Sequence, residues 1–189
     1  MAEFKEAYAI TSAHEGGYVN DPVDRGGETY RGIARVHHPE WSGWKRVDAA
    51  RRKAGFPRSL NTDRTLQNNV KAFYKQAYWD RFRGDEISDQ AVANELYDTG
   101  VNMGVRRAVR FLQSSLNLLN RNQRDYEDLI VDGLFGRKSL DALAKLLRKD
   151  RGSDALVKMM NIQQGARYVE IMASDSSQER FARGWIKRA

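Results

Sequence analysis

The sequence predicts a mainly α-helical fold with one small irregular β-hairpin near the N-terminus. Three observations predict it. Apolar residues recur at helical spacing over most of the chain, turn-forming residues crowd into one stretch from Tyr18 to Ala34, and only three prolines interrupt 189 residues.

The elements follow in order. Phe4, Tyr8 and Thr11 share one helical face, so residues from about 3 to 14 read as an amphipathic first helix, ended by Gly16-Gly17. Asn20-Asp21-Pro22 and Arg25-Gly26-Gly27 then punctuate short segments that can pair as a hairpin, the one β segment the sequence suggests. A Trp-flanked helix is expected from Trp41 to Lys53, and another from Thr65 to Trp79, with Val70, Phe73, Tyr74 and Ala77 on its buried face. Residues 89–101 form the next, carrying Val92 and Leu96, and residues 106–119 follow with Val109, Leu112, Leu116 and Leu119 on one stripe. Asp132-Gly133 and Phe135-Gly136 signal turns before a short helix through Leu140, Leu143 and Leu147. A long helix runs from Asp154 to about Met172, and a last one ends near Trp185 and Ile186. Seven or eight helices result.

A chain of this length, 41% hydrophobic and 10% aromatic, buries one sizeable core, so a single packed unit is the default. The absence of cysteine removes disulfide frameworks, thiolate zinc sites and cysteine nucleophiles together. The N-terminal run Met-Ala-Glu-Phe-Lys-Glu places acids where a signal peptide carries positive charge, and no apolar run approaches transmembrane length. The expectation is synthesis in the cytoplasm without a signal peptide and without membrane insertion, followed by release if the protein works elsewhere. The net charge of +7 and pI near 9.7 favour polyanionic partners. Basic residues cluster around Lys45, Arg46, Arg51, Arg52 and Lys53 and around Arg106, Arg107 and Arg110, and a solvated helical surface explains most of them. The pair His37-His38 has no acids at ligand spacing, so no metal site is expected, and no cofactor.

The chemistry concentrates in His14-Glu15-Gly16-Gly17-Tyr18 and the residues up to Ile33. Eleven residues after Phe4, at about 100° each, return to within roughly 20° of the same helical face, so Glu15 crowns the stripe and points inward. A carboxyl at a helix C-terminus meets the unfavourable end of the macrodipole, and burial desolvates it. Both effects favour the protonated form that a general acid needs. Asp24 lies nine residues on, across a turn, and Thr29 five further. Inverting glycosidic cleavage uses a proton donor and a second carboxylate about 6.5 to 9.5 Å away that activates water, a gap that a helix-end Glu and a hairpin Asp can provide. The Thr29 hydroxyl can align that water. Structural readings stand beside these: Asp21 before Pro22 and Asp24 before Arg25 are ordinary turn residues, and Thr29 suits a strand.

The string EGGYVNDPVDRGGETYRGI after a short helix resembles the signature of the glycoside hydrolase 108 family of peptidoglycan hydrolases, found in phage endolysins and their bacterial relatives. More distantly, the order Glu, Asp, Thr, ending in Thr-x-x-Gly-Ile, is similar to the phage-type lysozymes, with the Asp-to-Thr spacing one residue shorter here. YKQAYWDRF, VANELYDTGVNMGVRRAVRFLQSSLN and VDGLFGRKSLDAL look like later segments of the same family, the last two resembling a peptidoglycan-binding module in which Arg137 and Ser139 replace an expected Pro and Thr. The resemblance implies a lysozyme-like fold, muramidase activity and Glu15 as catalytic acid, with Asp24 and Thr29 in the roles of second carboxylate and water-positioning hydroxyl. It divides the chain into a catalytic region, residues 1–100, and a helical module, residues 101–189, packed together.

Tyr30, Tyr78, Trp79, Tyr97, Asp98 and Asn102 are candidates for a saccharide cleft, because aromatic faces stack on sugars and polar groups bind N-acetyl groups. Aromatics at helical spacing are more often core, so two or three of the six are expected there. The expected partner is the peptidoglycan glycan strand, with the protein a monomer and no nucleic-acid motif present. Two rivals stay open: a lytic transglycosylase using Glu15 alone, and a non-enzymatic binder of wall polymer or nucleic acid motivated by the charge.

Overall fold

A computed structural model describes residues 1–12, 16–20 and 27–189 of this chain; among them are eight α-helices and three short strands. The predicted class is observed, with helix throughout and β structure confined to the N-terminal region. The chain forms two compact units: a sheet unit, Tyr8–Ala77, and a helical unit, Met1–Ala7 with Tyr78–Ala189. The division expected after residue 100 falls inside a helix, α4 (Gln90–Met103), rather than at either boundary.

Helix α1 (Phe4–Ser12) buries Ala7 and Thr11, with Phe4 and Tyr8 half-buried, so the predicted stripe is the inward face. Residues 13–15, which include the expected end of this helix, lie outside the described residues.

In the sheet unit, β1 (Tyr18–Asn20), β2 (Glu28–Tyr30) and β3 (Ile33–Ala34) make an antiparallel meander in that order. The register places Val19 opposite Thr29, and Tyr30 opposite Ile33. The sequence suggested a hairpin and the structure adds a third strand. Arg31 (φ 44°) and Gly32 (φ 76°) both adopt left-handed backbone, the pattern of a type I′ two-residue turn that matches strand twist. The turn is fastened because Tyr74 donates its hydroxyl to the Arg31 carbonyl at 2.8 Å. Helix α2 (Gly43–Arg51) buries Trp44 and Val47, and α3 (Arg64–Tyr74) buries Leu66, Val70 and Tyr74. Asp63 caps α3 by accepting from the Leu66 amide at 3.0 Å, supplying one of the partners that the first turn of a helix lacks. The helix predicted to reach Trp79 ends at Tyr74 and continues as one wide π turn, Lys75–Trp79.

The helical unit is built on α4, α5 (Val105–Leu119), α6 (Arg137–Asp150), α7 (Asp154–Ser174) and the short α8 (Ala182–Ile186). Helix α5 packs along α4 and α7 and buries Val109, Leu112 and Leu116 of the stripe legible in the sequence, together with Ala108, while Leu119 at its end is half-buried. Gly104, at φ 88°, separates α4 from α5 and is the sole residue between them, a conformation that a side chain would strain. Helix α6 is longer than the sequence suggested. The connection from α5 to α6 is held by three amides on α5: Gln113, Asn117 and Asn120. Gln113 accepts from the Gly133 amide at 2.9 Å and donates to Asp132 at 2.9 Å; Asn117 exchanges 2.8 Å bonds with both backbone groups of Leu129. Asn120 donates to Asp128 at 2.6 Å and accepts from the Gln123 amide at 2.7 Å.

Among the described residues, no helix is long and apolar enough to cross a membrane.

Candidate functional site

Glu15, Asp24 and the neighbouring Asp21 lie outside the described residues. What is described is the chain on either side: α1 ending at Ser12, β1 beginning at Tyr18, and β2 carrying Thr29 at its centre.

Thr29 is paired with Val19 on one side and Ala34 on the other, and its hydroxyl donates only a long, 3.4 Å bond to the Gly27 carbonyl. Strand alternation sends it to the face opposite Glu28 and Tyr30. Tyr30 is fully buried, and its hydroxyl donates to the Leu60 carbonyl at 3.3 Å and accepts from Gln67 at 2.8 Å. Its side chain belongs to the core of the sheet unit and offers no face to a sugar.

Glu28, beside Thr29, is a carboxylate that the sequence reading passed over. Its side chain is 12% exposed, with one oxygen on Arg35 at 2.7 Å and the other on Arg51. Arg35 also grips Asp48 through two bonds, 3.0 and 2.6 Å, and this holds the Asp48 carboxyl below its usual range. Arg51 donates to the Tyr18 hydroxyl at 3.0 Å; burial and the adjacent Glu28 push that phenol up. With both oxygens taken by guanidinium donors, Glu28 has none free to carry a proton to a substrate. It fastens β2 to α2.

The other candidates belong to the helical unit. Trp79 is fully buried, edge-on to Phe4 at 5.8 Å and Phe82 at 5.5 Å, with its indole N–H on Asp85 at 2.7 Å. Tyr97 is buried against Phe4, ring centroids 5.7 Å apart. Both are core residues, consistent with how aromatics at helical spacing are usually used. Tyr78 is half-buried and meets Tyr97 edge-on at 6.5 Å. Asp98 and Asn102, one turn apart on α4, are joined: the Asn102 amide donates to the Asp98 carboxylate at 3.1 Å and to its carbonyl at 2.8 Å. Arg188 closes the cluster, 2.6 Å from the Asn102 oxygen and 3.5 Å from Asp98. No local sequence signal links Arg188 to Asn102, 86 positions away.

One turn before Thr99 on the same helix, Glu95 is a second carboxyl that the sequence reading missed. Desolvation pushes it up to about 7, although the Thr99 hydroxyl donates to it at 2.8 Å. With its nitrogen turned toward α4, the Asn161 amide donates to both Glu95 oxygens at 2.7 and 3.0 Å. Gln164 supports Thr99 from behind at 3.0 Å. The local signal was present: Glu95 sits at helical spacing between Val92 and Thr99, on the buried side of α4.

Residues 8–104, which contain Glu15, Asp24, Thr29 and all six cleft candidates, match the sequence model of glycosyl hydrolase 108. The chain belongs to the glycosyl hydrolase 108 family. Residues 107–189 of this glycosyl hydrolase 108 member match a second model, described as a predicted peptidoglycan domain. Together the two make it a glycoside hydrolase directed at peptidoglycan. Its fold is similar to the solved structure of Brucella abortus SagA, with a TM-score of 0.59 and 23% identity over 98% of this chain and 88% of that one. No curated protein sequence matches it. The two family models meet near Gly104, between α4 and α5, and both helices belong to the helical unit.

Proposed function

We propose that this glycosyl hydrolase 108 member is an N-acetylmuramidase, cutting the β-1,4 bond between N-acetylmuramic acid and N-acetylglucosamine in peptidoglycan. Glu15 protonates the bridging oxygen as the oxocarbenium-like transition state develops. Asp24 activates water on the opposite sugar face, and Thr29 orients that water. The observation that carries this reading is the family match over residues 8–104 around a Glu–Asp–Thr order. Thr29 supports it, standing at the centre of β2 on the face away from Tyr30, with its hydroxyl making only a long bond to the Gly27 carbonyl before the strand. In this reading residues 101–189 hold the wall, the protein acts as a monomer, and it belongs to the cell-lysis proteins of the phage endolysin kind, reaching the wall after release from the cytoplasm.

The test is a digest of purified sacculi analysed by mass spectrometry. The wild type releases muropeptides with reducing N-acetylmuramic acid ends, and Glu15→Gln, which keeps shape and removes the acid, lowers release by about a hundredfold or more. Products with 1,6-anhydro ends identify a transglycosylase instead, and undiminished release by the Gln variant removes Glu15 from the mechanism.

A further inference from the structure

Residues 45–64 of the sheet unit hold seven Lys or Arg and two acids, Asp48 and Asp63, a surplus of five in a chain whose total is +7. A fifth of that surplus would be unremarkable on any helix; its concentration and its lack of partners are not. Asp48 is taken by Arg35. Asp63 gives one oxygen to Arg46 at 2.7 Å and the other to the Leu66 amide. Among the described residues, Lys45, Arg52, Lys53, Arg58 and Arg64 then have no carboxylate partner, and all five are exposed.

Helix electrostatics accounts for part of the cluster and leaves the rest. Arg51, Arg52 and Lys53 stand at the C-terminal end of α2, where cations are favoured. Lys45 lies in the first turn of α2, and Arg64 opens α3, and neither first turn holds an acid. Cations there oppose the macrodipole, so stability does not call for them. Lys45 lines, together with Arg46, Lys53 and Asp63, an open cleft of about 540 Å³ between α2 and the turn at Arg58–Thr62. Lys45 and Lys53 stand on one wall, and the Ser59 hydroxyl, buried in the other, has no hydrogen-bond partner.

The geometry points to a second wall-holding site: we infer that this cleft binds the carboxylates of peptidoglycan stem peptides, anchoring the enzyme to strands beside the one it cuts. This rests on the reading of peptidoglycan as substrate. Lys45 and Lys53 on one cleft wall, with three more unpaired cations nearby in the sequence, suit a ligand with several carboxylates on one strand, which the stem peptides supply. A lipid surface fits less well, because no large hydrophobic between residues 41 and 64 is exposed to insert into it. Single-stranded nucleic acid fits less well too, because no aromatic side chain is among the residues that line the cleft to stack on a base.

The test is co-sedimentation on ice with purified sacculi freed of phosphate polymers, comparing the wild type with the double variant Lys45→Glu, Lys53→Glu and the charge-preserving double variant Lys45→Arg, Lys53→Arg. The expected result is about a tenfold or greater loss of retention for the Glu pair at low salt, none for the Arg pair, and a wild-type affinity that falls as salt rises. Cleavage of soluble, peptide-free glycan strands is expected to be unchanged in both. Equal retention of the Glu pair and the wild type overturns the proposal, as does a loss that appears on polyphosphate or DNA and not on sacculi. Failure of the muramidase reading is separately visible: the wild type would sediment with sacculi and release no reducing ends.

Discussion

The sheet unit and the helical unit hold their irregular segments by opposite chemistry. In the sheet unit, β2 is tied to α2 by charge: Glu28 between Arg35 and Arg51, and Arg35 on Asp48. In the helical unit, the connection between α5 and α6 is tied mainly by amides, with Gln113, Asn117 and Asn120 each using both ends of the side chain, two of them donating to the carboxylates of Asp132 and Asp128. Ion pairs at partly exposed sites weaken with salt, while hydrogen bonds in which one partner is a neutral amide weaken far less. The difference teaches that one chain can hold irregular segments either through ion pairs or through side-chain amides that reach backbone groups.

Three substitutions sharpen or break this contrast. The largest effect is expected from Gln113→Leu. It leaves the Gly133 amide, buried against the side chain, without its acceptor, and should cost about 2–3 kcal/mol in denaturant melts, with the same loss at low and high salt. A loss that shrinks with salt would show that charge also matters in this connection. Glu28→Gln is expected to cost less, about 1–2 kcal/mol, because Arg35 keeps Asp48. Here the deficit should narrow in about 1 M salt, where the wild-type network is itself screened; an unchanged deficit would make Glu28 a packing residue.

The smallest effect, and one of opposite sign, comes from Glu95. Its folded-state value of about 7 lies above the ordinary 4.5, so the folded protein binds the proton more tightly than the unfolded chain. The stabilisation from this group is therefore complete below about pH 4.5 and is lost as pH rises through 7. Thr99 and Asn161 donate to the carboxylate and soften the loss. Glu95→Gln should flatten the decline in thermal stability between pH 5 and pH 8 and exceed the wild type by about 1 kcal/mol at the upper end. A variant that declines as steeply as the wild type would locate the titrating group elsewhere.

Much of the fold was legible because the information is local. The α5 stripe is a repeating pattern within one helix, and the turn formers that announced β structure lie in a single run. Features that depend on distant partners were not legible. A turn of Arg31 and Gly32 lacks the usual Asn-Gly signature, so the third strand depends on fastening by Tyr74, 43 positions away. The wide turn at Lys75–Trp79 has no composition that marks it. For the candidate site, sequence order proposes Glu15, Asp24 and Thr29 as a group, yet sequence alone could not tell cleft aromatics from core ones. Tyr30, Trp79 and Tyr97 are buried, and only Tyr78, Asp98 and Asn102 of that set retain surface. The basic composition of residues 45–64 was visible from the start, whereas which of those cations keep a partner is a property of three dimensions.

Gly104 stands where one family's homology gives way to the next, yet the helices on its two sides lean on each other within a single folded body. A cut there strips α4 from the apolar stripe of α5. A piece that begins near Tyr78, upstream of the seam that homology draws, keeps α4 with α5 and carries part of the hydrolase family's own sequence, but leaves behind Met1–Ala7, which belongs to the same unit.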